Sequence, residues 1–288
     1  MKIFCVILAL VLVVASRALL AGDAGTGDSF KGPIGLQLYS LRAQFMDKGV
    51  AATLDEVKAL GFKFVELAGT YNLPAEKFNK MLEERGLKAI SAHFPYDRYK
   101  KEPDVVAKEA KALGLQFAGC AWITHKGDFD EKTCREAAEV FNKAGEALAK
   151  EGIKFFYHIH GFEFQPFNGG TLVDLLMSET KKETVSYQMD VLWVFFPGQD
   201  PAALLAKYSG RWELMHLKDL KKGVARGSLS GGTDKTNDVT LGTGQVNWPE
   251  VLAAAPKNGV KWYFIEDESP TVEAQLPQSL KYLESVKF

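Results

Sequence analysis

One phrase recurs along the chain and limits what it can fold into: a helical pattern, a glycine, an apolar residue, a Lys or Gln, then a strand. It appears at Gly61-Phe62-Lys63, Gly86-Leu87-Lys88, Gly114-Leu115-Gln116, Gly152-Ile153-Lys154 and Gly259-Val260-Lys261. Glycine takes the left-handed conformation that ends a helix, and the apolar residue packs back on the last turn. The polar residue then faces water at the foot of the next strand. The first three glycines are spaced by about one strand-plus-helix unit.

Completing the pattern predicts eight strands: Ile34–Tyr39, Lys63–Leu67, Lys88–His93, Gln116–Trp122, Lys154–His160, Val185–Asp190, Trp212–Leu217 and Lys261–Glu266. Amphipathic helices are predicted between them, among them Ala51–Leu60, Ala75–Arg85, Val105–Leu113 and Glu131–Lys150. Strand, helix, strand without interruption means parallel pairing with right-handed crossovers. Eight such units close into a single (β/α)8 TIM barrel, an α/β fold of roughly 250 residues, here residues 25–288. The competing open doubly wound sheet lacks its usual glycine-rich phosphate loop after the first strand.

The chain begins with Lys2, an apolar run from Ile3 to Ala15, and small residues near Ala21 and Ala24. This is the pattern of a secretory signal peptide over residues 1–24, with an uncleaved N-terminal anchor as the alternative. The expected location is periplasmic or secreted, with no stable membrane insertion once the signal is removed. The 288 residues carry 35 basic and 36 acidic side chains, a formal charge of -1. That balance argues against a sequence-blind nucleic-acid binder, which needs a basic surface. Outside the signal only Cys120 and Cys134 remain, too few for a disulfide scaffold, and two buried free thiols are expected. The insertion Lys221–Asn247 is unusually long. Its first half, Gly223–Asp238, reads either as a lid or as a flap. Leu241–Trp248 reads as an ordered return at the rim.

Barrel enzymes work at the C-terminal ends of their strands. Here those ends collect His93, His158 and His160 with Glu163 after them, Asp190, His216 and Glu266. Taken singly, each has an ordinary explanation: a hydrogen-bonded core histidine, a helix cap at Asp190, or a solvated acidic run at Glu266-Asp267-Glu268. Jointly they are harder to dismiss, because burying Glu163, Asp190 and Glu266 together is strongly unfavourable without a cation. One divalent ion, Mn²⁺, Mg²⁺, Co²⁺ or Zn²⁺, bound by Glu163, Asp190, His216 and Glu266 resolves the conflict.

The segments Tyr157–Phe164, Met189–Val194, Met215–Asp219 and Phe264–Asp267 resemble the sugar phosphate isomerase/epimerase family of the xylose isomerase-like barrels, as do Gly35–Arg42 and Leu241–Trp248. The resemblance implies a metal held by Glu, Asp, His and Glu from strands five to eight. Asp190, His216 and Glu266 match the last three positions. At strand five the chain departs from the pattern, with Tyr157 or His158 where the glutamate belongs. Either Glu163 folds back to the metal, the option favoured for its charge, or His158 or His160 takes its place.

The implied chemistry is proton transfer beside the carbonyl of a keto-sugar through a metal-stabilised enediolate. Glu163 and Glu266 would relay the proton, with His160 or His93 able to replace one of them. His93 and His158 are candidate substrate contacts, Lys218 either binds substrate oxygen or pairs with a carboxylate, and Trp193 and Tyr39 are candidate platforms for a sugar ring. Three functions follow: an isomerase or epimerase; a dehydratase or lyase acting on an oxidised (3-keto) sugar or glycoside; and a non-catalytic carbohydrate-binding barrel.

Overall fold

The computed structural model describes residues 23–288. The secretory signal read over residues 1–24 therefore lies, apart from its last two residues, outside the described residues. Among these, no helix is long and apolar enough to cross a membrane.

Eight parallel strands close into a barrel: β1 (Ile34–Gln37), β2 (Phe64–Leu67), β3 (Lys88–His93), β4 (Phe117–Cys120), β5 (Lys154–His158), β6 (Val185–Asp190), β7 (Trp212–Leu217) and β8 (Trp262–Ile265). Each pairs with its neighbours in chain order, and β8 closes on β1. The helix-ending glycines behave as the repeated phrase requires: φ is positive at all five, from 67° at Gly114 to 107° at Gly259. The long helix runs over Glu131–Lys150, starting where the Asp130 side chain accepts from Thr133 N.

Several strands stop earlier than their sequence pattern. β1 ends at Gln37 because the Gln37 side chain accepts from Tyr39 N and opens a 3-10 turn over Leu38–Leu41. β5 ends at His158, so His160 stands on the loop beyond it.

The barrel interior is layered. Its floor is an apolar cluster of Ile90, Phe117, Phe156, Leu214 and Phe264. Two glycines make room for the rings. A Cβ at Gly119 would lie 2.4 Å from Phe156, and one at Gly35 would lie 2.7 Å from Phe264. Above this floor the register places Gln37 beside Glu66, Glu66 beside Ser91, His158 beside Gln188, and Asp190 beside His216. The core between sheet and helices holds both free cysteines, Cys120 and Cys134, which are buried.

The insertion after β7 packs as part of the rim. Asp219–Leu220 pairs antiparallel with Asp238–Val239. The Asp219 carboxylate accepts from the backbone of Leu220, Gly242, Gly244 and Val246 and from the Trp248 indole. That one side chain organises the return, and Leu241, Val246 and Trp248 are buried as their apolar character demands. The first half is pinned by Arg226, whose guanidinium lies 3.7 Å from the Phe195 ring centroid, and by Lys235 on Glu268.

Candidate active site

A fully buried carboxylate, Glu66, occupies the polar layer above the floor. Both its oxygens accept: Gln37 Nε2 at 2.6 Å and His216 Nε2 at 2.5 Å reach Oε1, while Ser91 Oγ at 2.6 Å and Gln188 Nε2 at 2.9 Å reach Oε2. Burial alone would raise its pKa, but His93, His216 and these donors overcome that and hold it at about 2. Gln188 turns its amide oxygen to two imidazoles, His158 Nδ1 at 2.9 Å and His93 Nε2 at 3.0 Å.

Above this layer stand Asp190 at the end of β6, His216 on β7 and Glu266 after β8. One ligand atom from each lies within 4.8 Å of the other two. His216 Nδ1 is 3.2 Å from Glu266 Oε2 and 3.8 Å from Asp190 Oδ2, and His158 Nε2 is 3.8 Å from the same Asp190 oxygen. Burial disfavours charge on His216, yet Glu66 and Glu266 keep its pKa well above the ordinary imidazole value. Burial likewise opposes ionisation of Glu266, but Lys218 and His216 draw its pKa well below the usual range. Burial pushes His158 well below its ordinary value, with His216 adding to the effect.

These residues fit a divalent cation. Asp190 Oδ1 caps the helix Val191–Phe195 through Trp193 N, while Asp190 Oδ2 is buried without a hydrogen-bond partner. A carboxylate oxygen left so is costly unless a cation or donor meets it. Asp190, His216 and Glu266 bring one imidazole nitrogen and two carboxylate oxygens together, and His158 Nε2, 3.8 Å from Asp190 Oδ2, adds a second imidazole, a donor set for a first-row divalent metal. His93 and His216 also form a cluster with His158. Within it, His93 Nε2 faces Gln188 Oε1 and His216 Nε2 faces Glu66, so these nitrogens serve as hydrogen-bond donors.

The cavity over the cluster has a volume of about 370 Å³. His93, His158 and His160 line one side and Glu266 and Glu268 another, with Tyr39, Trp122 and Trp193 as aromatic walls and Gly231 and Lys235 of the insertion at the mouth. His160 keeps Nδ1 without a partner, and burial, helped by Lys218, lowers its pKa to about 3.

Two expectations need correcting. Glu163 does not fold back to the cluster. Side chains alternate along β5, so Tyr157 points to the helix layer, where its ring stacks on Phe141 at 4.7 Å, and His158 points inward. Glu163 follows Tyr157: its carboxylate accepts from the Tyr157 hydroxyl and from His160 N at 3.0 Å. Lys218 is buried and does not line the cavity. Its Nζ donates to Glu268 Oε1 at 2.6 Å and Glu266 Oε2 at 3.3 Å, lies 3.5 Å from Asp238 Oδ2, and sits 5.4 Å from the Trp193 ring centroid. Of its two expected roles, pairing with carboxylates is the one seen.

Reading the sequence missed Glu66, Gln188, Trp122, Glu268 and Lys235. Glu66 had a signal: Phe64-Val65-Glu66-Leu67 places a carboxylate inside a predicted barrel strand rather than at its end.

The placement of Glu163 has a measurable consequence. Burial raises its pKa to about 7, although the Tyr157 hydroxyl opposes the shift. A carboxyl raised above its unfolded value stabilises the fold below the unfolded pKa, and that contribution is lost as pH rises through the folded one. The expected window is therefore about pH 4.5 to 7. Across it, Glu163→Gln should gain about 3 kcal/mol relative to the parent in urea unfolding. Parallel stability profiles for the two proteins would contradict this environment.

Comparison with known proteins places the barrel. Residues 54–286 match the family described as xylose isomerase-like TIM barrel. An inosose dehydratase from Clostridium botulinum is 25% identical over 263 residues, covering 81% of this chain and 87% of that one. A solved sugar phosphate isomerase/epimerase from Parabacteroides distasonis superposes with a TM-score of 0.72 at 23% identity, covering 94% of this chain and 98% of its own. The structure of the IolI protein with a bound zinc atom superposes with a TM-score of 0.67 at 11% identity, covering 87% and 96%. With its closed barrel and the family match over most of its length, this chain belongs to the xylose isomerase-like TIM barrel family.

Proposed function

We propose that the protein is a metal-dependent dehydratase, or more broadly a lyase, acting on a keto-sugar or related polyol ketone. The observation that carries this reading is the one-sided distribution of acid groups. The carboxylates that line the cavity, Glu266 and Glu268, both follow β8, while the wall from β3 and β5 presents His93, His158 and His160. Epimerisation calls for proton relays on both faces of the reacting carbon. With Glu163 tied to Tyr157, an imidazole stands where the second carboxylate would be. Elimination can run with one carboxylate that takes the proton and returns it to the leaving oxygen, and Glu266 is placed to do both.

His158, Asp190, His216 and Glu266 would hold the ion. When bound, a divalent cation supplies Lewis-acid polarisation of the ketone and offsets charge on its oxygen. Glu266, ionised, takes the proton from the carbon beside the ketone. The electron pair of that C–H bond forms a carbon–carbon double bond as the hydroxyl on the next carbon leaves. His160 faces the cavity between Trp122 and Trp193 as a neutral imidazole that hydrogen-bonds to the departing oxygen; Glu266 returns to that oxygen the proton it took from carbon, so water and an unsaturated ketone are the products. Tyr39 and Trp122, each about half exposed, provide faces for the apolar side of the ring.

The inosose dehydratases among the relatives support this reading. The solved isomerase/epimerases favour a second one, isomerisation of a keto-sugar, which shares the first proton transfer. Incubating the metal-loaded protein with a panel of keto-sugars and inososes in heavy water tests both. Loss of water with an enone product is the expected result. Deuterium gained without loss of water would assign isomerisation, and no exchange with any substrate would leave a carbohydrate-binding barrel.

A further inference from the structure

We propose that Glu66 is a positioning residue that decides which nitrogen of each imidazole faces the metal cluster. The inference rests on the reading that His158, Asp190, His216 and Glu266 hold a cation.

The two imidazoles are oriented oppositely. His216 turns Nδ1 to Asp190 and Glu266 and Nε2 to Glu66. His158 turns Nε2 to Asp190 and Nδ1 to Gln188. A neutral imidazole ligand must present a lone pair to the ion and carry its proton on the other nitrogen. For His216 that proton belongs on Nε2, where Glu66 Oε1 accepts at 2.5 Å. For His158 it belongs on Nδ1, where Gln188 Oε1 accepts at 2.9 Å. The Gln188 amide has only one sensible orientation, because its nitrogen must donate to Glu66 Oε2 at 2.9 Å. One carboxylate therefore sets both tautomers, His216 directly and His158 through Gln188.

Every contact Glu66 makes comes from a donor or an imidazole, and it is fully buried beneath the cavity without lining it. It is thus placed to act through His216 and His158 rather than on substrate. An amide at this position would aim its own N–H groups at donors, so Glu66→Gln disturbs the arrangement while keeping its shape. Ser91→Ala removes one donor to Glu66 and leaves the carboxylate in contact with His216 and Gln188.

The test uses zinc, which is diamagnetic, and the whole protein labelled with ¹⁵N-histidine. In zinc-loaded wild type, long-range ¹H–¹⁵N spectra should show one metal-bound imidazole protonated on Nε2 and another protonated on Nδ1. Glu66→Gln should lower zinc affinity, read by chelator competition, by about 10- to 100-fold. Ser91→Ala should change it by less than about threefold. Zinc bound by two imidazoles sharing one tautomer, or an unchanged affinity in Glu66→Gln, overturns the role of Glu66 and leaves the metal reading standing. If Glu66→Gln does not fold, the wild-type spectrum decides alone. Failure of wild type to bind zinc overturns both.

Discussion

Asp190→Asn is expected to abolish stoichiometric binding of a divalent metal and, with it, turnover. Asparagine preserves the cap, because its oxygen still accepts from Trp193 N, so the helix Val191–Phe195 keeps its start. What is lost is the charge at Oδ2, the buried oxygen without a partner. Changes to outer-shell groups typically cost about 10- to 100-fold in metal affinity, and loss of a ligand charge should exceed about a hundredfold. The metal-free protein should be no less stable. Asp190 shares its buried surroundings with the carboxylates Glu66 and Glu266, against the cations Lys218 and His216. Burial raises the Asp190 pKa despite His216 and Lys218, so its ionised form is a cost in the absence of a cation. Isothermal titration with Zn²⁺ or Mn²⁺, alongside thermal unfolding of the metal-free form, separates the two effects. Full metal binding by the variant would exclude Asp190 as a ligand.

The second large effect divides proton removal from elimination. Glu266→Gln should lose both α-deuterium exchange and product, because the group that takes the proton is gone and the cluster loses a carboxylate. His160→Phe should retain metal and exchange while product formation falls about 10²- to 10³-fold, the usual cost of losing one preorganised hydrogen-bond donor to developing charge. Phenylalanine conserves the packing of His160 on Phe162, where the rings stack at 5.7 Å. Equal loss of exchange and product in His160→Phe would assign it to binding instead.

Much of the architecture was legible because it is local. A glycine that must take positive φ at a helix end is written in three consecutive residues, and all five such phrases mark the turn into a strand. The cap and amphipathic stripe of Glu131–Lys150 are equally local. The convergence of His93, His158, His160, Asp190, His216 and Glu266 followed from their shared position at strand ends. What failed was side-chain direction after a strand stops. Glu163 is near His158 in sequence, but the 3-10 turn Phe162–Glu163–Phe164 carries it toward the Tyr157 side. Glu66 was overlooked because its meaning is non-local: its partners come from β1, β3, β6 and β7, and only a closed barrel brings them together.

We propose one cation held by two imidazoles and two carboxylates, with His158 in the place where the family resemblance implies a glutamate. X-ray absorption fine structure of the zinc-loaded protein measures that donor set. Multiple-scattering features of two imidazoles together with carboxylate oxygens is the predicted result. A spectrum with a single imidazole, or a protein that retains no zinc after dialysis, would contradict it.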